Sequence, residues 1–186
     1  MTTILVFSGS SRPGSMNQKL AELAAKKINA AGGSATLISL ADYPLPLVDA
    51  AGFGNAPEAA TKLRALIDDH KGLFLTCPEY NAGYAPALKN ALDWTTVAKP
   101  GAPATGLAGK VVGLGAASPG PMGGYRGLTQ LRTVLELGLG ALVIPEMVAV
   151  GNYATAFTEA GELADEKTAA FFDATIARLV KEAAKA

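Results

Sequence analysis

At 186 residues, 49% hydrophobic and 17% charged, the chain has the makings of one ordered domain spanning residues 1–186, with a substantial core. Sixteen basic residues balance sixteen acidic ones and no cluster of Lys or Arg appears, which excludes a nucleic-acid or anionic-membrane footprint as the expected partner surface. A single cysteine, Cys77, rules out an internal disulfide, and a single histidine, His70, leaves little for zinc ligation or a Ser-His-Asp triad.

The first apolar run, Ile4-Leu5-Val6-Phe7, is too short and too uncharged at its start for a signal peptide, and no run approaches the roughly 20 apolar residues of a membrane span. A cytoplasmic protein without membrane insertion is therefore expected. That run predicts a buried strand. It is followed by Ser8-Gly9-Ser10-Ser11-Arg12-Pro13-Gly14-Ser15-Met16-Asn17, and then by Leu20, Leu23, Ala24 and Ile28 at helical spacing, ended by Gly32-Gly33. A strand, a small-residue loop and a helix start in that order make an anion site, because open N–H groups of the first turn point at whatever the loop encloses. Four hydroxyls and the Arg12 cation in one turn exceed what a cap needs. The plainer alternative is an ordinary capped loop, since Ser15 with Gln18 satisfies the capping-box pattern.

Thr36–Leu40 reads as a second strand, and a loop rich in Pro, Gly and small residues runs from Ala41 to Ala56. Asn55 with Glu58, and Pro57 in the first turn, signal a second helix striped by Leu63, Leu66 and Ile67. His70, after Asp68-Asp69, is expected as an exposed residue at that helix's end. Leu73–Cys77 is a third buried strand stopped by Pro78, and Pro86 opens a third helix with Leu88, Ala91 and Leu92 inward. The stretch Lys99–Gly109, with Pro100 and Pro103, reads as a surface loop rather than an interdomain linker. Lys110–Ala117 is a fourth strand. Leu128, Leu131, Val134 and Leu135 make a fourth helix ending near Gly138 and Gly140. Ala141–Ile144, extending toward Val150, is a fifth strand, and Phe172, Ile176, Leu179 and Val180 stripe a last helix.

Strands that are apolar throughout need cover on both faces, which a parallel sheet between two helical layers provides. Five such strands beginning with an anion loop predict an α/β, flavodoxin-like three-layer sandwich of order 2-1-3-4-5, with a ligand at the carboxyl ends of strands 1 and 3. The loop after the third strand, Pro78-Glu79-Tyr80-Asn81-Ala82-Gly83-Tyr84-Ala85-Pro86, could lay a flat ring against Pro and Tyr and offer backbone groups to its polar edge; otherwise it is a proline-stopped strand with a polar turn. The glycine-rich loop from Ala117 to Arg126 would admit a ligand or a second chain close to the backbone, or is simply a flexible connection. There is no Gly-x4-Gly-Lys-Ser/Thr, so the first loop is not a Walker P-loop, and Gly113-Leu114-Gly115 lies within a strand and is a chance match to a dinucleotide pattern. Cys77 lacks a nearby base and reads as a buried strand-end residue rather than a nucleophile.

With both loops in view, the chain closely resembles the NADPH-dependent FMN reductase family of flavodoxin-like proteins, which includes quinone and chromate reductases and related azoreductases. The resemblance lies in Gly9–Asn17, in Pro78-Glu79-Tyr80-Asn81, in Leu88-Lys89-Asn90-Ala91-Leu92-Asp93-Trp94, and in Ser118-Pro119-Gly120 followed by Gly123-Gly124. It implies that Ser10, Arg12, Ser15 and Asn17, with Met16, hold the FMN phosphate. It implies that Pro78, Glu79, Tyr80 and Asn81 meet the isoalloxazine through backbone atoms, with Ser118 and Gly120 on the third cofactor-side loop. Hydride would pass from NADPH, or NADH, to flavin N5, and a small-molecule acceptor (FMN, quinone, azo compound, chromate or ferric complex) would then take two electrons in a ping-pong cycle, with no side-chain acid or base required. The resemblance also implies a homodimer or homotetramer, with Arg126, Asp93 and Glu146 as candidate contacts between subunits or as plain surface charges. Small Ala82-Gly83 and Ala85-Pro86 depart from the family's pattern, a departure that would open the face above the flavin, so acceptor preference is not carried over. The rival reading is a flavodoxin-type electron carrier without NAD(P)H turnover, although such carriers are usually acidic and this chain is neutral.

Overall fold

A computed structural model describes residues 1–49, 55–97 and 106–186. Strand β1 (Thr2–Ser8) is flanked by β2 (Gly33–Ser39) and β3 (Gly72–Thr76), and β6 (Val111–Ala117) and β7 (Leu142–Val150) complete a parallel sheet of order β2-β1-β3-β6-β7. A separate two-stranded ribbon, β4 (Glu79–Tyr80) and β5 (Gly83–Tyr84), lies between β3 and the next helix. In the main sheet alone the order is therefore the expected 2-1-3-4-5.

The alternation along β1 shows why its sequence carries no polar face. Ile4 and Val6 enter the core beneath helices α1 (Met16–Ala30) and α5 (Glu166–Ala183), while Leu5 and Phe7 enter the core beneath α2 (Glu58–Asp69), α3 (Pro86–Val97) and α4 (Tyr125–Thr133). Gly113 and Gly115 have a packing reason to be small. A Cβ on Gly113 would sit 2.9 Å from the Phe74 ring and one on Gly115 3.1 Å from it. Phe74 in turn meets Phe172 edge-on, with centroids 5.9 Å apart.

Several local expectations are corrected. His70 is buried rather than exposed, because the chain leaving α2 turns its ring inward toward β2. There Nδ1 lies 2.6 Å from the Leu66 carbonyl and Nε2 2.8 Å from the Thr36 hydroxyl. The Ser15–Gln18 capping box does not form: Ser15 precedes α1 without a side-chain cap, and Gln18 Nε2 reaches Glu22 instead. Helix α2 begins at Glu58 with Pro57 just outside it, so Asn55 is not its cap. Helix α4 runs on into a wider turn over Val134–Gly138, which brings Leu139 N to the Val134 carbonyl at 3.1 Å. Of the Lys99–Gly109 loop, residues 99–105 lie outside the described residues, as do residues 50–54 of the loop before α2.

Gly123 sets how closely the loop after β6 approaches the end of β7. Its φ is +61°, and a Cβ there would lie 2.6 Å from the Ala149 carbonyl carbon. Gly123→Ala is expected to lower stability by about 2–4 kcal/mol, from left-handed strain and an unrelievable backbone clash. The urea midpoint of the variant checks this, and an unchanged midpoint contradicts it.

Candidate functional site

The loop joining β1 to α1 continues the sheet for one residue, with Gly9 N donating to Thr76 O at 2.7 Å. Gly9 allows α3 to close on it, since a Cβ would lie 2.8 Å from that of Leu88. The loop then winds around its own hydroxyls: Ser10 N donates to Ser8 Oγ at 3.1 Å and Arg12 N to Ser10 Oγ at 3.4 Å. Ser8, Ser10 and Ser15 are all buried. The first helical bond of α1 is Lys19 N to Ser15 O at 3.1 Å, so the N–H groups of Met16, Asn17 and Gln18 have no partner within the helix. No acidic residue occupies that first turn. Arg64, Arg126, Arg132 and Arg178 each pair with a carboxylate, whereas Arg12 has no such partner among the described residues. Open N–H groups, buried hydroxyls and an unpaired cation without an opposing acid suit a phosphate.

Asn17 works differently from the rest of this group. Its Nδ2 donates to Ala117 O at 2.9 Å and its Oδ1 accepts from Ala117 N at 3.0 Å, so its side chain pairs with the end of β6 as another strand would. The Thr76 hydroxyl donates to the Asn17 carbonyl at 2.8 Å. The Asn17 amide, expected on the anion, is thereby committed to the scaffold, and what the residue offers a ligand is its backbone N–H.

The β4–β5 ribbon carries the second wall. Its two-residue turn, Asn81-Ala82, has φ values of +50° and +64°. The Glu79 carboxylate points away from the cleft's centre to Arg126 and to Gly127 N on α4. Burial pushes the Glu79 carboxyl up, but the bonds from Arg126 and Gly127 N outweigh it and hold the group below the usual carboxylate range. Cys77 lies beneath this ribbon, accepting from Ala85 N at 3.3 Å, and burial pushes its thiol up to about 11. The third wall is the loop after β6, where Ser118 N donates to Val150 O at 3.0 Å and Tyr153 N to Ser118 O at 3.3 Å.

The three walls enclose a cleft of about 250 Å³. Ser10, Arg12, Ser15, Met16 and Asn17 line it from the first loop, Pro78, Glu79 and Tyr80 from the second, and Ala117, Ser118 and Pro119 from the third, with Tyr153 closing one side. Asn81 and Gly120 do not line it: Asn81 sits at the ribbon's turn, and the Gly120 carbonyl faces the Ser118 hydroxyl at 3.4 Å. Tyr153 is the residue that sequence reasoning missed. Its only signal is its place just past the end of β7. A larger groove of about 600 Å³ lies across Ser11, beside Tyr43, Leu45 and Ala87. Within it, the Leu88–Trp94 motif shows a structural role: Asn90 accepts from Val48 N at 2.8 Å, and both Asn90 and Trp94 donate to Pro46 O. Arg126, Asp93 and Glu146 each find partners within the chain, in Glu79, Lys89 and Arg178.

Residues 2–155 match the family described as NADPH-dependent FMN reductase. A quinone reductase of Escherichia coli strain K12 is 32% identical over 167 residues, which span 89% of this chain and 86% of that protein. An NAD(P)H-dependent FMN reductase of Pseudomonas aeruginosa is 33% identical over 165 residues, covering 88% and 85%. Among solved structures, the flavoenzyme NAD(P)H:(acceptor) oxidoreductase FerB of Paracoccus denitrificans superposes with a TM-score of 0.82 at 28% identity, over 100% of this chain and 98% of that one.

Replacing Asn17 by Ala would leave both the N–H and the carbonyl of Ala117 buried without that partner. The expected loss is about 2–3 kcal/mol of unfolding free energy. Urea denaturation of Asn17→Ala measures it, and a loss below about 0.5 kcal/mol would mean that water replaces the pair without cost.

Proposed function

The chain belongs to the NADPH-dependent FMN reductase family, and from that premise we propose that the cleft is an FMN site serving NAD(P)H-dependent reduction of a small, flat acceptor of the quinone type. The observation that carries the reading is Arg12, the arginine without a carboxylate partner among the described residues, standing beside an acid-free helix start whose N–H groups are open. Ser10, Ser15 and the N–H groups of Met16 and Asn17 would hold the phosphate with it. Pro78, Glu79 and Tyr80 would meet the ring through their peptide groups, and Ser118 and Tyr153 would bound the span between. When bound, FMN would supply the redox chemistry, two-electron transfer from NADPH or NADH to the acceptor.

The protein's own residues bind, orient and tune. Their hydrogen-bond donors are mostly backbone groups held by the sheet, which need no reorganisation when charge changes in the site. No titrating side chain is asked to move a proton, in keeping with a thiol raised to about 11 at Cys77 and a histidine held in the helical layer. Tyr80, which lines the cleft, is 54% exposed, and Met122 and Tyr125 are exposed on the loop after β6 and at the start of α4. Large exposed side chains on these segments suit both a flat acceptor and a second copy of the chain, in a homodimer or homotetramer. Among the described residues no helix is long and apolar enough to cross a membrane, and work in the cytoplasm fits this reading.

Two measurements test it. Purified protein freed of small molecules should bind FMN, and NADPH or NADH should bleach the bound flavin anaerobically, with colour restored by benzoquinone. Bleaching by dithionite but by neither nicotinamide nucleotide would favour a flavodoxin-type carrier. Arg12→Ala should weaken FMN binding about tenfold, the worth of one charge-assisted hydrogen bond; parent affinity in that variant would remove Arg12 from the phosphate site.

A further inference from the structure

Among the described residues the β4–β5 ribbon pairs only with itself, and two strands of two residues have too few ladder bonds to hold a position alone. Helix α4 supplies that position from one of its faces. At the ribbon's first residue, the Glu79 carboxylate accepts from Arg126 Nε at 2.9 Å, from Arg126 Nη2, and from Gly127 N at 3.1 Å. At its turn, Gln130 Nε2 donates to the Ala82 carbonyl at 2.8 Å. Arg126 and Gln130 are four residues apart, one helical turn, so the two ends of the ribbon are gripped by neighbouring side chains. Gly127 makes the approach possible, because a Cβ there would lie 3.0 Å from the Gly83 carbonyl oxygen. The Glu79 side chain is 8% exposed and that of Arg126 58%. Glu79 therefore turns its carboxylate to the helix and leaves its peptide group at the cleft.

We infer that Glu79 and Arg126 form a clasp that positions the Pro78–Tyr80 peptide groups for the flavin ring, so that cofactor affinity depends on an ion pair on the outer side of the loop. This rests on the proposed placement of FMN against that loop. Both are positioning residues. Neither contributes its charged group to the ligand, and each acts through the ribbon's backbone. Removing the Arg126 side chain leaves a mostly buried carboxylate held by backbone N–H groups alone, and the ribbon then has lower-energy arrangements with Glu79 turned to water.

The test compares the parent chain with Glu79→Ala, Arg126→Ala, Arg126→Lys and the double variant Glu79→Ala/Arg126→Ala. Three quantities are read: amide hydrogen exchange of residues 79–84 without FMN, FMN affinity by flavin fluorescence, and the visible circular dichroism of the bound flavin. Exchange in the ribbon should speed up in both single Ala variants, and FMN binding should weaken about tenfold in each, with an altered dichroism band. The double variant should also be about tenfold weaker rather than a hundredfold, because the second change removes a partner already lost. Arg126→Lys, which keeps the charge with fewer donors, should fall between, and it carries the test if an Ala variant fails to fold. Arg178→Ala, which breaks the Glu146 pair on α5, should match the parent. Unchanged ribbon exchange, or losses that multiply in the double variant, overturn the clasp. Faster exchange in a protein that binds no FMN in any form leaves the clasp standing and overturns the cofactor reading instead.

Discussion

The geometry of the cleft depends on one residue that ties two strand ends to a helix start. Asn17, in the first turn of α1, exchanges two hydrogen bonds with the backbone of Ala117 at the end of β6, while its own carbonyl receives the Thr76 hydroxyl from the end of β3. Two strand ends are thereby locked to one helix start. Without that lock, α1 could pivot on its apolar face, since packing against Ile4, Val6 and Phe74 resists lift but resists rotation less well. With it, the open N–H groups of the first turn face the same space as the β3 and β6 loops. Buried paired amide bonds hold a direction better than they add net stability, and direction is what an anion site needs.

Around that lock the roles divide cleanly. In the proposed reading, charge recognition would fall to the helix start and to Arg12, the arginine not neutralised by a carboxylate within the described chain. The groups whose chemistry suits acid–base or nucleophilic work are occupied elsewhere. His70 bridges the Leu66 carbonyl and the Thr36 hydroxyl, and Cys77 lies buried with its thiol proton held tightly. A protein of this family can leave both in structural roles because the electrons travel through a bound flavin rather than through side chains.

The sheet order was legible because every central strand is apolar on both faces, a pattern that only two covering layers explain. Placement of the loops followed from that order, which brings the ends of β1, β3 and β6 together. Other features turned on choices between a local and a distant partner. The Asn17 amide could serve an anion beside it or a backbone 100 residues away, and nothing in its own segment marks the second. Ser15 and Gln18 have the spacing of a capping box, yet Gln18 finds Glu22 instead. His70 looked like a helix-end cation; the partner that draws it inward, Thr36, belongs to another strand. Arg126 and Glu79, 47 residues apart, are likewise ordinary charges until the ribbon and α4 are stacked.

The ribbon's turn shows how strain and contact are balanced at the site. Asn81 tolerates a left-handed backbone, but Ala82 at φ +64° carries a cost that glycine would not, of the order of 1 kcal/mol. The neighbouring position does hold glycine, and it is Gly83 whose carbonyl faces the Gly127 backbone. The turn therefore does not take its lowest-energy sequence; it takes the shape that α4 imposes. Gln130 bonds the Ala82 carbonyl, and Glu79 anchors the other end. A shape over-determined from outside can keep a strained residue, because relaxing the turn would break both contacts at once. The same arrangement explains how a two-residue ribbon with an exposed Tyr80 can present fixed peptide groups to a ligand while its outer face stays open. Rigidity there comes from the helix behind the ribbon, which leaves the front open.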